Sequence, residues 1–284
     1  MDVDLVVNCF ERTYRDVLAP GFLDRVVAQN RFRFARRVVL VNNVEDPTAA
    51  GRLARARLAA GEIDAVHRVA DRLPAALRRT GLREHDLGAG RLHSIPSLVA
   101  VTLEGAPWVV HWDAEIGLTR EGNWIAPGLE AIAYDDRVIA AAPHWDSPKL
   151  EPEVVEAGDR FDLCLGFSDH VYLARRSELA RPIYSTRCVV RRRYPLCHRG
   201  YTFESRLDAY MRHHGRLRAI DRVVSYRHDD AAAGASYPAF SPLDRVRVTT
   251  NRALIGAIRT SPLRPACCRT LEREDPVSLA ETHA

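Results

Sequence analysis

The 284-residue sequence has almost no lysine, no CxxC pair of cysteines and no long apolar run. Lys149 is the only lysine, so 40 of the 41 basic side chains are arginine. The base composition of the gene is one explanation of such an arginine excess. The other is recognition of phosphate or carboxylate groups, which the planar guanidinium suits. The composition alone leaves both explanations open.

The chain also lacks a dominant sign of charge. Its 41 basic and 37 acidic side chains leave a formal net charge of +4. A dedicated nucleic-acid-binding protein carries a concentrated positive excess. We therefore expect no nucleic-acid partner.

Charged residues interrupt every apolar stretch before the roughly 20 residues that a membrane-spanning helix needs. The N-terminus is acidic where a secretory signal would be basic. The six cysteines form no CxxC pair, and the chain is far longer than a disulfide-stapled mini-domain. These absences predict a cytoplasmic protein with no transmembrane segment and no export signal.

Short apolar runs alternate with helical patterns over the first 230 residues. Predicted strands cover residues 4–10, 37–43, 63–69, 108–112, 138–142 and 221–226, with β character at 164–174. Predicted helices cover residues 49–60, 73–80, 95–103 and 124–134, and another begins at Phe203, whereas residues 143–158 are a predicted loop. This alternation predicts an α/β fold with a central, mostly parallel sheet flanked by helices. Ligands of such sheets bind beyond the carboxyl ends of the strands.

The pattern changes after residue 230. We expect a domain over residues 1–230 and a C-terminal part over residues 231–284. The latter would comprise a linker at 231–236, an amphipathic helix over 242–258 and a disordered tail.

Two acids, Asp113 and Glu115, follow the most apolar predicted strand. Residues two apart in a strand point to the same side, so both carboxylates can face one point at the strand end. Such oxygen ligands hold a hard divalent cation, which could bridge the oxygens of a diphosphate. His228 ends the last predicted strand and is a candidate third ligand, since imidazole binds Mn²⁺. The alternative is that both acids are simply solvated.

Two further side chains are candidates for catalysis. Glu204 opens a predicted helix, where it could act as a general base or merely complement the helix dipole. Ser168 lies in a Gly166–His170 segment that partly matches a nucleophile elbow but lacks the second glycine. A serine hydrolase is therefore an alternative function.

Three segments in this order resemble the GT-A-fold glycosyltransferases, in particular their inverting family-2-like group. Residues 109–115 are similar to the strand-borne DxD metal motif, and residues 201–207 to the acidic segment that opens the acceptor-side helix. Residues 226–228 are similar to the strand-end histidine of some members. The resemblance covers residues 3–230 and implies a Rossmann-like GT-A fold.

The resemblance implies metal-dependent, inverting transfer of a sugar from a nucleotide diphosphate donor to a hydroxyl acceptor. The acceptor would be a glycan, a lipid-linked sugar or a small-molecule natural product. Asp113 and Glu115 would hold Mn²⁺ or Mg²⁺ with the help of His228. Glu204 would be the catalytic base, and Asp169, which precedes the strand facing the acceptor, is its competitor.

The donor nucleotide is expected at the ends of the first strands. The contact residues implied by the resemblance, or expected near that pocket, are Asn8, Phe10, Glu11, Arg12, Asn43, Asp71 and Arg78.

The sequence departs from the family pattern at three positions. Asn43 and its predecessor stand where an aspartate is expected, Glu115 replaces the second aspartate of the motif, and Ser205 stands where a second acid is frequent. A second hypothesis is therefore a binding or scaffold protein that keeps this fold with a decayed site.

Overall fold

A computed structural model describes residues 1–146, 152–186, 188, 197, 200–228 and 241–259. The strands are β1 (Val3–Cys9), β2 (Arg36–Val41), β3 (Ala65–Arg68), β4 (Trp108–Asp113), β5 (Ile116–Arg120), β6 (Val138–Trp145), β7 (Glu153–Glu156), β8 (Phe161–Leu165), β9 (Val171–Arg175) and β10 (Leu217–His228). The helices are α1 (Tyr14–Val17), α2 (Phe22–Asn30), α3 (Pro47–Ala59), α4 (Val69–Thr80), α5 (Arg91–Thr102), α6 (Ile125–Tyr134), α7 (Arg176–Leu179), α8 (Phe203–His214) and α9 (Pro242–Arg259), with a 3-10 turn at Glu84–Gly90.

The strands form one sheet in the order β3-β2-β1-β4-β9-β6-β10-β8-β7, and β5 pairs with β10. The pairings of β1, β2, β3 and β4 with one another are parallel, as is that of β6 with β10. Among the ten described strands, β5, β8 and β9 run against the other seven. The predicted α/β fold with a mostly parallel sheet is therefore confirmed.

Helices cover both faces of the sheet, which explains why apolar runs rather than alternating patterns form its central strands. All seven residues of β1 are buried. Leu5 and Val7 pack into the core beneath α1, α2, α3 and α6, whereas Val6 packs into the core beneath α4, α5 and α8. The two cores hold the strand ends in fixed positions.

The prediction of a loop over residues 143–158 is wrong for the part of this segment that the structure describes. Strand β6 continues to Trp145, because His144 and Trp145 pair with β10 after a register shift. Pro143 stands opposite Asp221, where that shift begins, and proline is tolerated at such irregularities. Strand β7 then forms by pairing with β8. Residues 164–174 likewise belong to two strands, β8 and β9.

The structure has a helix, α9, at Pro242–Arg259, where the sequence predicts one over 242–258. The predicted linker at 231–236 and the predicted tail lie outside the described residues, so the division at residue 230 stays a prediction. Among the helices that the structure describes, none combines the length and the apolar character needed to cross a membrane.

Candidate active site

A cavity of about 390 Å³ opens at the carboxyl ends of β1, β2 and β4, and we call it the strand-end cavity. Strand β9 runs antiparallel to β4, so the loop before β9 reaches the same edge. There the backbone N–H of Asp113 donates to the carbonyl of His170 at 2.9 Å. The cavity thus occupies the place where ligands bind to parallel sheets.

The strand-end cavity brings together most of the predicted site residues. Those that line it are Asn8, Phe10, Glu11, Arg12, Asn43, Asp113, Glu115, Asp169, Glu204 and His228. They come from β1, the end of β2, β4, the β8–β9 loop, α8 and β10.

Two predicted nucleotide contacts do not line the cavity. Asp71 and Arg78 are exposed on α4. The carboxylate of Asp71 lies 3.9 Å from the guanidinium of Arg68 in a surface ion pair. Both side chains therefore belong to the surface of α4 and not to the cavity lining.

Five lining residues were missed by the sequence reasoning: Asn42, Glu45, Leu92, His93 and His170. Helix α5 begins at Arg91, four residues before the predicted start, and this first turn brings Leu92 and His93 to the cavity. The Asn42 amide donates to the carbonyl of Leu92 at 2.9 Å and ties this turn to the end of β2. No side chain caps the start of α5, so the sequence contains no capping residue from which this start could be predicted.

Asp113 is held in a fixed position by two neighbours. The Asn8 amide donates to its Oδ1 at 3.0 Å, and Nε2 of His111 lies 3.3 Å from the same oxygen. Burial raises the pKa of Asp113, but the hydrogen bond and the charge of His111 outweigh burial and lower it. The carboxylate is therefore ionised at neutral pH.

Glu115 reaches the cavity by another route than predicted. Strand β4 ends at Asp113, and Glu115 lies in the two-residue turn before β5. The alternation of side chains in a strand therefore does not apply to this pair. The turn nevertheless brings both carboxylates into the cavity lining.

Two histidines of the cavity lining stack on each other. The rings of His170 and His228 are 4.3 Å apart, and Trp145 contacts His170 edge-on at 5.0 Å. Burial and the neighbouring His228 lower the pKa of His170 to about 3. His170 is therefore neutral at physiological pH.

The lining residues fit a divalent cation by their chemistry. Asp113 is ionised, Glu115 adds a second carboxylate, and the buried Oδ1 of Asn8 has no hydrogen-bond partner among the residues that the structure describes. Within the described ranges, however, no group of three or more His, Cys, Asp or Glu side chains forms a ready ligand set. Such a donor set suits a cation that takes further oxygen ligands from substrate phosphates.

Two further acids, Glu204 and Asp169, line the cavity. Glu204 occupies the first turn of α8, whose cap Thr202 accepts from the N–H of Ser205 at 3.3 Å. Asp169 lies in the loop before β9. Its withdrawal from solvent and the nearby charge of Asp113 raise its pKa to about 7.

The surroundings of Ser168 do not match those of a hydrolase nucleophile. Ser168 is buried between β8 and β9, in a strand–loop–strand connection, whereas a nucleophile elbow joins a strand to a helix. Ser168 does not line the strand-end cavity. The geometry gives the hydrolase alternative no support.

No protein-family model matches the chain, and no curated protein matches its sequence. Solved structures do. The crystal structure of GalNAc-T7 with UDP, GalNAc and Mn²⁺ has a TM-score of 0.50 and 12% identity, over 80% of this chain and 43% of that one. The chain thus spans less than half of that protein.

Two more similar structures cover most of this chain. S. aureus TarS 1-349 has a TM-score of 0.46 and 14% identity, over 94% of this chain and 68% of that one. Glucosyl-3-phosphoglycerate synthase from Mycobacterium tuberculosis, in complex with Mn²⁺, UDP and phosphoglyceric acid, has a TM-score of 0.44 and 13% identity, over 91% and 78%. At such identities the similarity concerns the fold, and the GT-A fold indicated by the sequence motifs is confirmed.

Proposed function

We propose that the protein is a metal-dependent, inverting glycosyltransferase. It would move a sugar from a nucleoside diphosphate donor to a hydroxyl acceptor. The observation that carries this proposal is the convergence of the strand-end residues of β1, the two acids after β4 and the two candidate bases on one cavity of about 390 Å³. The fold alone would not suffice, since one fold supports several functions.

The donor would lie against β1 and β2. Asn8, Phe10, Glu11, Arg12 and Asn43 line this side of the cavity. Asn43 adopts a left-handed backbone conformation, with φ of 45°, which asparagine tolerates better than most residues. The turn after β2 can therefore face the cavity next to β1.

Asp113 and Glu115 would hold Mn²⁺ or Mg²⁺, with His228 as an additional ligand. The cation would stabilise the charge that develops on the departing diphosphate. The ionised state of Asp113, secured by His111 and Asn8, supports this role at neutral pH.

A carboxylate on the acceptor side would take the proton of the attacking hydroxyl. Glu204 is our first assignment, since it opens α8 at the cavity. Asp169 is the competitor, because a base with a pKa of about 7 is suited to proton transfer at neutral pH. Removal of the base costs such enzymes roughly 10²–10⁴-fold in rate.

The test is thermal unfolding with Mn²⁺ and a panel of nucleoside diphosphates and their sugars. At least one of them, together with Mn²⁺, should raise the Tm of the wild type, and Asp113→Asn should abolish that shift. Glu204→Gln should retain the shift and lose transfer, whereas a Glu204→Gln variant that transfers at the full rate would assign the base to Asp169.

The exposed Asp71→Asn serves as a matched control, because it removes an acid outside the cavity lining. It should behave as the wild type in both assays. A folded wild type that responds to no nucleotide would contradict the enzyme hypothesis and favour a scaffold with a decayed site.

A further inference from the structure

His111 is a buried histidine of β4 that was not among the predicted site residues. It does not line the strand-end cavity, but it stands two residues before Asp113, which does. Residues two apart in a strand point to the same face of the sheet. Val6, the partner of His111 on β1, packs into the core beneath α4, α5 and α8, so the imidazole lies on that face as well. Only 1% of His111 is exposed.

The two ring nitrogens of His111 have different surroundings. Nε2 lies 3.3 Å from Oδ1 of Asp113 and 3.3 Å from the hydroxyl oxygen of Ser97 on α5. Nδ1 is buried and has no hydrogen-bond partner among the residues that the structure describes. A ring proton on Nδ1 alone would turn the lone pair of Nε2 towards a carboxylate oxygen and leave the donor without a partner. A proton on Nε2 has two oxygens within reach, so the geometry favours the Nε2–H tautomer.

The imidazole is held in this orientation by its neighbours. Its ring stacks on that of Tyr172, its partner on β9, with centroids 5.1 Å apart and planes inclined by 22°. The Tyr172 hydroxyl donates to the carbonyl of Ser97 at 3.5 Å. The ring is thus fixed between β9 and α5, with Nε2 towards Asp113.

A histidine is an unusual choice for this buried position. The neighbouring residues of β4, Val109, Val110 and Trp112, are fully buried and apolar or aromatic. Burying a polar ring with one unpartnered nitrogen is unfavourable compared with burying an apolar side chain. What the imidazole of His111 supplies, and an apolar side chain would not, is a donor to Asp113.

The two carboxylate oxygens of Asp113 differ in their contacts. Oδ1 accepts from the Asn8 amide at 3.0 Å and lies against Nε2 of His111. Oδ2 accepts no hydrogen bond from the described residues, and it is not among their buried unpaired atoms. Because Asp113 lines the strand-end cavity, Oδ2 is the oxygen that remains open to it.

We propose that His111 is a positioning residue for Asp113. It donates from Nε2 to Oδ1 and, together with the Asn8 amide, leaves Oδ2 as the oxygen available to a divalent cation. Hydrogen bonds that orient a carboxylate ligand in this way strengthen metal binding. The cation rests on the proposed function, whereas the tautomer of His111 and the orientation of Asp113 do not.

The first test uses the wild type without any metal. NMR spectra that correlate the carbon-bound ring protons of each histidine with its two nitrogens identify the tautomer, and His111→Gln assigns the His111 signals by their loss. The proton should be on Nε2. A proton on Nδ1 alone would overturn the proposal, because Nε2 could then not donate to Asp113.

The second test measures the Kd of Mn²⁺ for the full chain from the electron paramagnetic resonance signal of the free ion. His111→Phe keeps a ring against Tyr172 but removes the donor. His111→Gln places an amide nitrogen two bonds beyond Cγ, as Nε2 is, whereas His111→Asn places it one bond beyond Cγ, as Nδ1 is. The Kd should rise about 10–100-fold in the Phe and Asn variants and stay near the wild-type value in the Gln variant.

Tyr172→Phe is the matched control, because it removes a buried hydroxyl from the same cluster and keeps the stacked ring. It should bind Mn²⁺ as the wild type does. The same Kd in the wild type and all His111 variants, or the same loss in the Gln variant as in the Asn variant, would overturn the proposal. A wild type that binds no Mn²⁺, even with a nucleoside diphosphate, would count against the proposed function, and the tautomer would still decide whether His111 donates to Asp113.

Discussion

The two ends of β1 lie in opposite chemical environments. At its start, Asp4 is fully buried in a network where donors converge on its carboxylate. At its end, Asn8 is also buried, yet its Oδ1 has no hydrogen-bond partner in the part of the chain that the structure describes. We call the edge of the sheet at Asp4 the satisfied edge and the edge at Asn8 the unsatisfied edge. The seven residues of β1 join the two.

The satisfied edge is built from chain segments distant in sequence. Arg36 donates to both oxygens of Asp4, at 3.1 Å and 2.7 Å, and Arg176 donates to one of them at 3.0 Å. A side chain at Gly105 would collide with the Arg36 guanidinium and the Asp4 carboxylate, so only glycine fits there. The carboxylate of Asp4 thus takes its partners from within the protein.

The unsatisfied edge is built differently. Its acids, Asp113 and Asp169, are close enough for the charge of one to raise the pKa of the other. Such an arrangement costs stability and is typical of sites at which ligands or reactions supply the missing partners. The contrast therefore agrees with the proposed function, which would lie at the edge with the unmet polar groups.

The largest expected effect breaks the satisfied edge. Asp4→Ala should lower the free energy of unfolding by about 3–5 kcal/mol, because it leaves the buried Arg176 without its carboxylate. Denaturant unfolding measures this loss, and Asp2→Ala, which removes an exposed acid next to β1, is the control. The folded fraction should still bind a nucleotide with Mn²⁺ as the wild type does, and a selective loss of that binding would contradict the separation of the two edges.

Sequence reasoning located much of the unsatisfied edge and none of the satisfied one. Acids directly after an apolar strand, such as Asp113, can be recognised because parallel strands end at one edge. The contact between Asp4 and Arg176 joins residues 172 positions apart, and no local pattern indicates it. Only the order of strands, with β9 antiparallel beside β4, brings Arg176 to the start of β1.

The same reason explains what was missed in the candidate site. His170 enters the cavity because β9 begins at that edge, which depends on the direction of β9 and not on its own sequence. His93 enters through the early start of α5. Asp71 followed a predicted strand as expected, but α4 carries its side chain to the surface.

An intermediate effect appears in the pH dependence of stability. The pKa of Asp169 is raised to about 7 in the folded protein, so the folded state holds this proton more tightly than the unfolded state does. Its contribution to stability is therefore present below the ordinary aspartate pKa of about 3.9 and is lost as the pH rises towards 7. Asp169→Asn should flatten the stability profile between about pH 4 and pH 7.

Unfolding by urea at several pH values measures this slope. At the satisfied edge, the slope of stability against pH should have the opposite sign, because Arg36 and Arg176 outweigh burial and lower the pKa of Asp4. Its stabilisation is present above the ordinary pKa and is lost in stronger acid. An Asp169→Asn variant with the slope of the wild type would show that the acidic pair does not titrate as this arrangement requires.

The smallest expected effect is at the other end of β1. Asn8→Ala removes one hydrogen bond to Asp113 but also a buried side-chain oxygen, Oδ1, that has no partner among the described residues, so the two changes offset each other. We expect a change in the free energy of unfolding within about 1 kcal/mol.

Asn30→Ala is the matched control: Asn30 is buried, donates to Val26 at 2.7 Å and accepts from the Trp124 indole at 2.6 Å. Its loss leaves that indole unpaired and should cost about 1–3 kcal/mol. If Asn8→Ala cost as much as Asn30→Ala, the polar groups at the end of β1 would be satisfied in solution, and the contrast between the two edges would be lost.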